Sequence, residues 1–150
     1  MMELVALGSN PERARDIATE MGGHAYVSDP ADDRAMPFRS LIRVSTDDRS
    51  LLAGADDIGT YLVFSRQVKT HPVNWASGEP SPGVSAVFGM VGHPDLSHAQ
   101  SDAHWRDTHA PLALQHHPGM WDYAQLSAVA TIDGPEYDGF AICSFASMED

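Results

Sequence analysis

The chain has 150 residues, 43% of them hydrophobic, with 12 Gly and 10 Pro; this suits a core with many turns and the length of one ordinary domain or two very small ones. Its formal charge of −12, from 21 acidic against 9 basic residues, leaves no basic stripe to displace counterions, which argues against a nucleic-acid partner and against an anionic membrane surface. The single cysteine, Cys143, rules out an intrachain disulfide framework and a Cys-rich zinc site.

The opening MMELVALGSNPERARD has no basic segment followed by an apolar one, and no apolar run approaches the ~20 residues of a membrane span. A cytoplasmic location is therefore expected. Met2 to Leu7 reads as a strand stopped by Gly8-Ser9-Asn10. Asn10 caps a helix with Pro11 at its first position and Glu12 in its first turn, running to about Met21 before Gly22-Gly23. Ala25 to Ser28 is a short strand, Asp29 to Pro37 a loop, and Phe38 to Ser45 a strand. Thr46 or Asp47 caps a short helix through Ala55, and Tyr61 to Val68 is a further strand.

From His71 to Gly83 the run HPVNWASGEPSPG has three prolines and two glycines and carries no apolar period. Val84 to Val91 is again a strand, and a helical region runs from about Leu96 or Ser97 to His117, broken by Pro118-Gly119. Asp122 to Ile132 and Phe140 to Phe145 are strands, separated by the turn signal Asp133-Gly134. The fold class is α+β. Both halves begin strand, helix, strand, strand, and the first completes the β-α-β-β-α-β order of a ferredoxin-like unit. The expected organisation is a diverged unit at 1–71, a linker at 72–83 and a second unit at 84–150, the two in tandem forming an α/β barrel. The second unit stops at Asp150, where its second helix should begin, ~30 residues short by usual element lengths. It is read as truncated, or as completed by another chain.

Six of the eight histidines fall between His93 and His117. Imidazole titrates near neutral pH and ligates metals, so such density points to acid–base or metal chemistry. Spacing argues against metal: on an unbroken α-helix His104 lies about 140° round from His109, too far to share an ion. On the same period Ser101, Trp105, His109 and Leu112 form one inward stripe. Pro111 cannot donate to residue 107 and should end or kink the helix near His109-Ala110. His116 and His117 read as an exposed helix end, and His93 and His98 as loop residues with no role. Asp107 belongs to a solvated face, and Cys143 to strand packing.

The run HWRDTHAPLAL, followed by Tyr123-Ala124-Gln125 and by Tyr137-Asp138-Gly139-Phe140-Ala141, resembles the EthD domain, a family of the dimeric α/β-barrel (ferredoxin-like) superfamily. The resemblance spans about Val84 to Phe145. Leu126 stands where the family pattern has Asn, and Ile142 where it often has an acidic residue, which would remove polar groups from a cavity lining. The resemblance implies a cavity between sheet and helices, a small hydrophobic molecule as partner, and assembly as a homodimer or larger homo-oligomer.

The function expected is that of a cofactor-independent lyase or isomerase, a dehydratase or cyclase, acting on an aromatic or polyketide-like carbonyl compound. His109 would abstract a proton beside the carbonyl or assist loss of water, its pKa set by burial and neighbours. His104 or Tyr123 would supply the complementary proton, and Trp105, Trp121, Phe88 and Met90 the apolar walls. No metal is expected. The alternatives are a non-catalytic small-molecule-binding or assembly module with a structural His109, a haem protein with one axial histidine, and a cofactor-free monooxygenase.

Overall fold

Asn10 and Pro11 start the first helix as their residue types predict: the Asn10 side chain accepts from the Arg13 N–H at 3.2 Å, and the helix α1 covers Pro11–Met21. It follows β1 (Met2–Gly8) and precedes β2 (His24–Val27) and β3 (Ser40–Val44). The computed structural model describes residues 1–150, and the chain divides into two units. The first comprises Met1–Phe64, Trp75–Pro80 and Val129–Pro135; the second comprises Ser65–Asn74, Ser81–Ala128 and Glu136–Asp150. The long strand β4 (Gly59–Lys69) supplies residues to both, as does β6 (Met120–Asp133).

In the first unit the strand order is β2-β3-β1-β4, with every neighbouring pair antiparallel. This is the ferredoxin-like arrangement that the β-α-β-β order predicted. Its second helix is reduced to a single 3-10 turn, Arg49–Leu52, capped by the Asp48 side chain rather than by Thr46 or Asp47. So short an element has little stability of its own. Leu52, fully buried with Ala14, Ile17 and Ile42, anchors it, and burial of such a side chain contributes roughly 1.5–3 kcal/mol. The α1 side of this sheet is packed with Leu4, Ala6, Ile42 and Val44.

The second unit contains the end of β4, then β5 (Val84–Met90), the helical run 98–116, β6 and β7 (Gly139–Phe145). Its strand order is β4-β6-β7-β5, and β7 pairs antiparallel with both β6 and β5. Trp105, Ala110, Met120, Tyr123 and Ala141 form the core between helix and sheet, with Val68, Met90 and Cys143 packed against it. Successive strand residues alternate faces, so Leu126 and Ile142 lie on the sheet face opposite Gln125 and Ala141; both are fully buried there. The two departures from the family pattern therefore do not alter a helix-side cavity. No helix is long and apolar enough to cross a membrane.

Candidate functional site

The histidine helix begins on a capping box. Ser97 Oγ accepts from the Gln100 N–H at 3.2 Å, and Gln100 Oε1 accepts from the Ser97 N–H at 2.9 Å. The first segment, α2, covers His98–His104, and α3 covers Ala110–His116. Between them Trp105–His109 forms a π-helical turn, in which the Ala110 N–H donates to the Trp105 carbonyl instead of to Arg106. Pro111 supplies the local cause: its ring collides with the carbonyl four residues back in a regular α-helix and it has no N–H to donate. A widened turn relieves that collision without ending the helix.

This turn corrects the expected stripe. Trp105 points inward and is 8% exposed, whereas His109 is exposed and Leu112 is 47% exposed. One extra residue in the turn advances the phase of everything after Trp105. It also brings residues five apart to one side of the helix, and His104 and His109 both line a single cavity of about 370 Å³. The 140° separation expected of a straight α-helix does not apply.

The cavity lies wholly within the second unit. Met90, Val91, Leu96 and Trp105 form apolar wall, while His98, Ser101, Asp102, His104, His109 and Asp138 bring polar groups to it. Of the residues expected at the site, His104, His109, Trp105 and Met90 are brought together. Tyr123, Phe88 and Trp121 are not on the wall. Tyr123 is 1% exposed, in the core. Phe88 is 52% exposed two residues along β5 from Met90, and Trp121 stacks on His71 with ring centroids 4.2 Å apart. Strand alternation placed Phe88 on the same sheet face as Met90 but carried no information about how far the cavity extends.

Two ionisable pairs escaped sequence reasoning. His98 Nδ1 lies 2.9 Å from Asp138 Oδ1, and Asp138 Oδ2 accepts from the Gly92 N–H at 2.6 Å. Arg66, on β4, forms two 2.9 Å hydrogen bonds to the two Asp102 carboxylate oxygens and lies 5.6 Å from the Trp105 ring centroid. It also donates to Gln125 Oε1, at 2.9 Å from Nη2 and 3.2 Å from Nε. The available signal was the Tyr137-Asp138-Gly139 motif. Asp138 holds the strand end at Gly92, and Gly139 leaves room for the Trp105 indole, whose atoms lie 2.7 Å from where a Cβ would stand. Asp107 pairs with Arg106 at 2.8 Å on the surface and orients no histidine.

The electrostatics follow from these contacts. The Gly92 N–H and then His98 hold the Asp138 carboxyl below the usual carboxylate range. Burial raises the Asp102 carboxyl, but hydrogen bonds from Arg66 and Ser127, with the Arg66 charge, outweigh it and leave the group lowered. Burial pushes the Tyr123 phenol up. Donation from Gln125 Nε2 at 3.0 Å opposes this in part, as does the nearby Trp105 indole N–H. That N–H is buried and closes no hydrogen bond of good geometry. Tyr123 is thus a neutral, interior phenol.

A comparison with curated proteins finds no match. The family model of the EthD domain matches residues 93–150, the segment holding the histidine helix, β6 and the Tyr137-Asp138-Gly139 turn, so that this part of the chain is similar to the EthD family, as HWRDTHAPLAL led us to expect.

Proposed function

We propose that the cavity carries cofactor-independent acid–base chemistry of the lyase or isomerase type, a dehydration or cyclisation, on a hydrophobic aromatic or polyketide-like carbonyl compound. The observation that carries this reading is that His104 and His109 share one wall of a largely apolar cavity of about 370 Å³. That volume falls within the range of small-molecule sites, and apolar walls with a few convergent polar groups are their usual make-up. Two imidazoles on one wall can divide the labour of proton donor and proton acceptor near neutral pH. Met90 and Trp105 supply the surface on which an aromatic ring packs. Tyr123, interior and hydrogen-bonded to Gln125, supports the wall through Trp105 rather than exchanging protons with a ligand.

The test uses 2-tetralone, a bicyclic aromatic ketone, and follows deuterium incorporation beside its carbonyl by proton NMR in D2O. The protein is expected to accelerate exchange over buffer, and His104→Ala and His109→Ala, made separately and checked by circular dichroism, to lower it by about 10²-fold or more. If neither change alters the rate, the acid–base reading fails and the cavity is a binding site only.

A further inference from the structure

Of the four histidines on the cavity wall, His98 alone has a carboxylate at hydrogen-bond distance; His93 lies 3.8 Å from the Asp95 carboxylate, and its Nδ1 accepts from the Asp95 N–H. We propose that His98, oriented by Asp138, is the base that accepts the substrate proton; this rests on the acid–base reading of the same cavity. Asp138 is tied down at both ends. Its backbone N–H donates to the Met90 carbonyl at 2.8 Å, and its Oδ2 accepts from the Gly92 N–H at 2.6 Å. Gly92 packs closely on the helix there, since a Cβ at that position would stand 2.5 Å from Ser101 Oγ. The remaining oxygen, Oδ1, faces His98 Nδ1 at 2.9 Å.

An ionised carboxylate only accepts hydrogen bonds. His98 Nδ1 therefore carries the proton, and the neutral ring keeps its lone pair on Nε2. His104 and His109 have no side-chain partner in the protein and no such tautomer constraint. The pairing divides the roles. The C–H bond beside the substrate carbonyl breaks and its electron pair becomes the C=C of the enol. The proton goes to His98 Nε2, and protonated His104 or His109 gives a proton to the carbonyl oxygen. The products are the enol, an imidazolium at His98 and a neutral second histidine. Asp138 lies where it balances the charge His98 gains, the arrangement in which a carboxylate positions a histidine without taking its proton. Asp138 is a positioning residue; His98 touches the substrate.

Two measurements on the whole chain test this. In protein labelled with 15N-histidine, long-range proton–nitrogen spectra, assigned by loss of the signal in His98→Gln, should show neutral His98 protonated at Nδ1. In Asp138→Asn the amide oxygen stays with the Gly92 N–H, which can only donate, so the amide nitrogen faces His98. The ring must then switch to the Nε2-protonated form. 2-Tetralone exchange should fall by about 10²-fold or more in both variants, with kcat reduced and KM little changed in Asp138→Asn. A wild-type His98 protonated at Nε2 overturns the inference whatever the activity. Exchange retained in His98→Gln but lost in His109→Ala overturns it while leaving the cavity reading intact. Absence of exchange in the wild type overturns the acid–base reading and the base role with it.

Discussion

Gln125 Nε2 donates to the Trp105 carbonyl at 3.1 Å, the same carbonyl that closes the π turn by accepting from the Ala110 N–H. Gln125 is fully buried, and its other contacts reach the Tyr123 hydroxyl and the Arg66 guanidinium. One side chain on β6 therefore ties the helix, the interior phenol and the Arg66–Asp102 pair together. Gln125→Leu keeps the approximate volume but removes the donor to the Tyr123 hydroxyl, the acceptor of Arg66 Nε and one of two donors to the Trp105 carbonyl, and each group left unsatisfied costs about 1–3 kcal/mol. Urea unfolding should show a loss of about 2–4 kcal/mol; a variant as stable as the parent would remove Gln125 from this role.

Gly139 is the second fixed point beneath the helix. A Cβ there would stand 2.5 Å from the Leu126 carbonyl oxygen and 2.7 Å from the Trp105 ring, so backbone and indole would both have to move. Gly139→Ala should cost about 1–3 kcal/mol, as overpacking does. Displacement of Trp105 should shift the tryptophan emission to longer wavelength. An unchanged spectrum with unchanged stability would contradict the close approach.

Asp102 makes stability depend on pH. Its folded-state pKa is depressed, so its contribution is complete above the unfolded value of about 3.9 and is lost as pH falls through the lower folded value. Asp138 acts with the same sign. The urea midpoint should decline as pH drops from about 5 towards about 3. Asp102→Asn should weaken the protein at pH 7 by about 1–3 kcal/mol, the scale of hydrogen bonds to charged groups, and flatten the acid limb. Equal acid sensitivity in parent and variant would exclude Asp102 as a cause.

Cys143 is half-buried beside Tyr123 and Met120, and burial pushes its thiol up to about 11. The thiolate is the reactive form. At pH 8 the native protein should therefore react with iodoacetamide roughly 100-fold more slowly than the urea-unfolded chain. Comparable native and unfolded rates, followed by mass spectrometry, would show that the thiol is not shielded.

Local chemistry made most of the secondary structure legible. The Asn10-Pro11 start of α1, the apolar runs of β1 and β4, and the Ser97 region opening the histidine helix are all signals within a few residues of where they act. The same holds for HWRDTHAPLAL, which pointed to the EthD family before any contact was known. What lay beyond the sequence was phase and partnership. Pro111 announced a disturbance, but a kink, a helix end and a π turn all answer to a missing N–H. The fold chooses the π turn, and Gln125, on a strand twenty residues away, adds a second hydrogen bond to the Trp105 carbonyl within it. That choice turned His109 and Leu112 outward and set His104 and His109 on one wall. Likewise His98 looked idle beside Pro94, because its partner Asp138 stands forty residues further on. Short-range spacing determines which residues share an element; which carboxylate meets which imidazole is decided by strand pairing, which brings distant backbone segments to hydrogen-bonding distance.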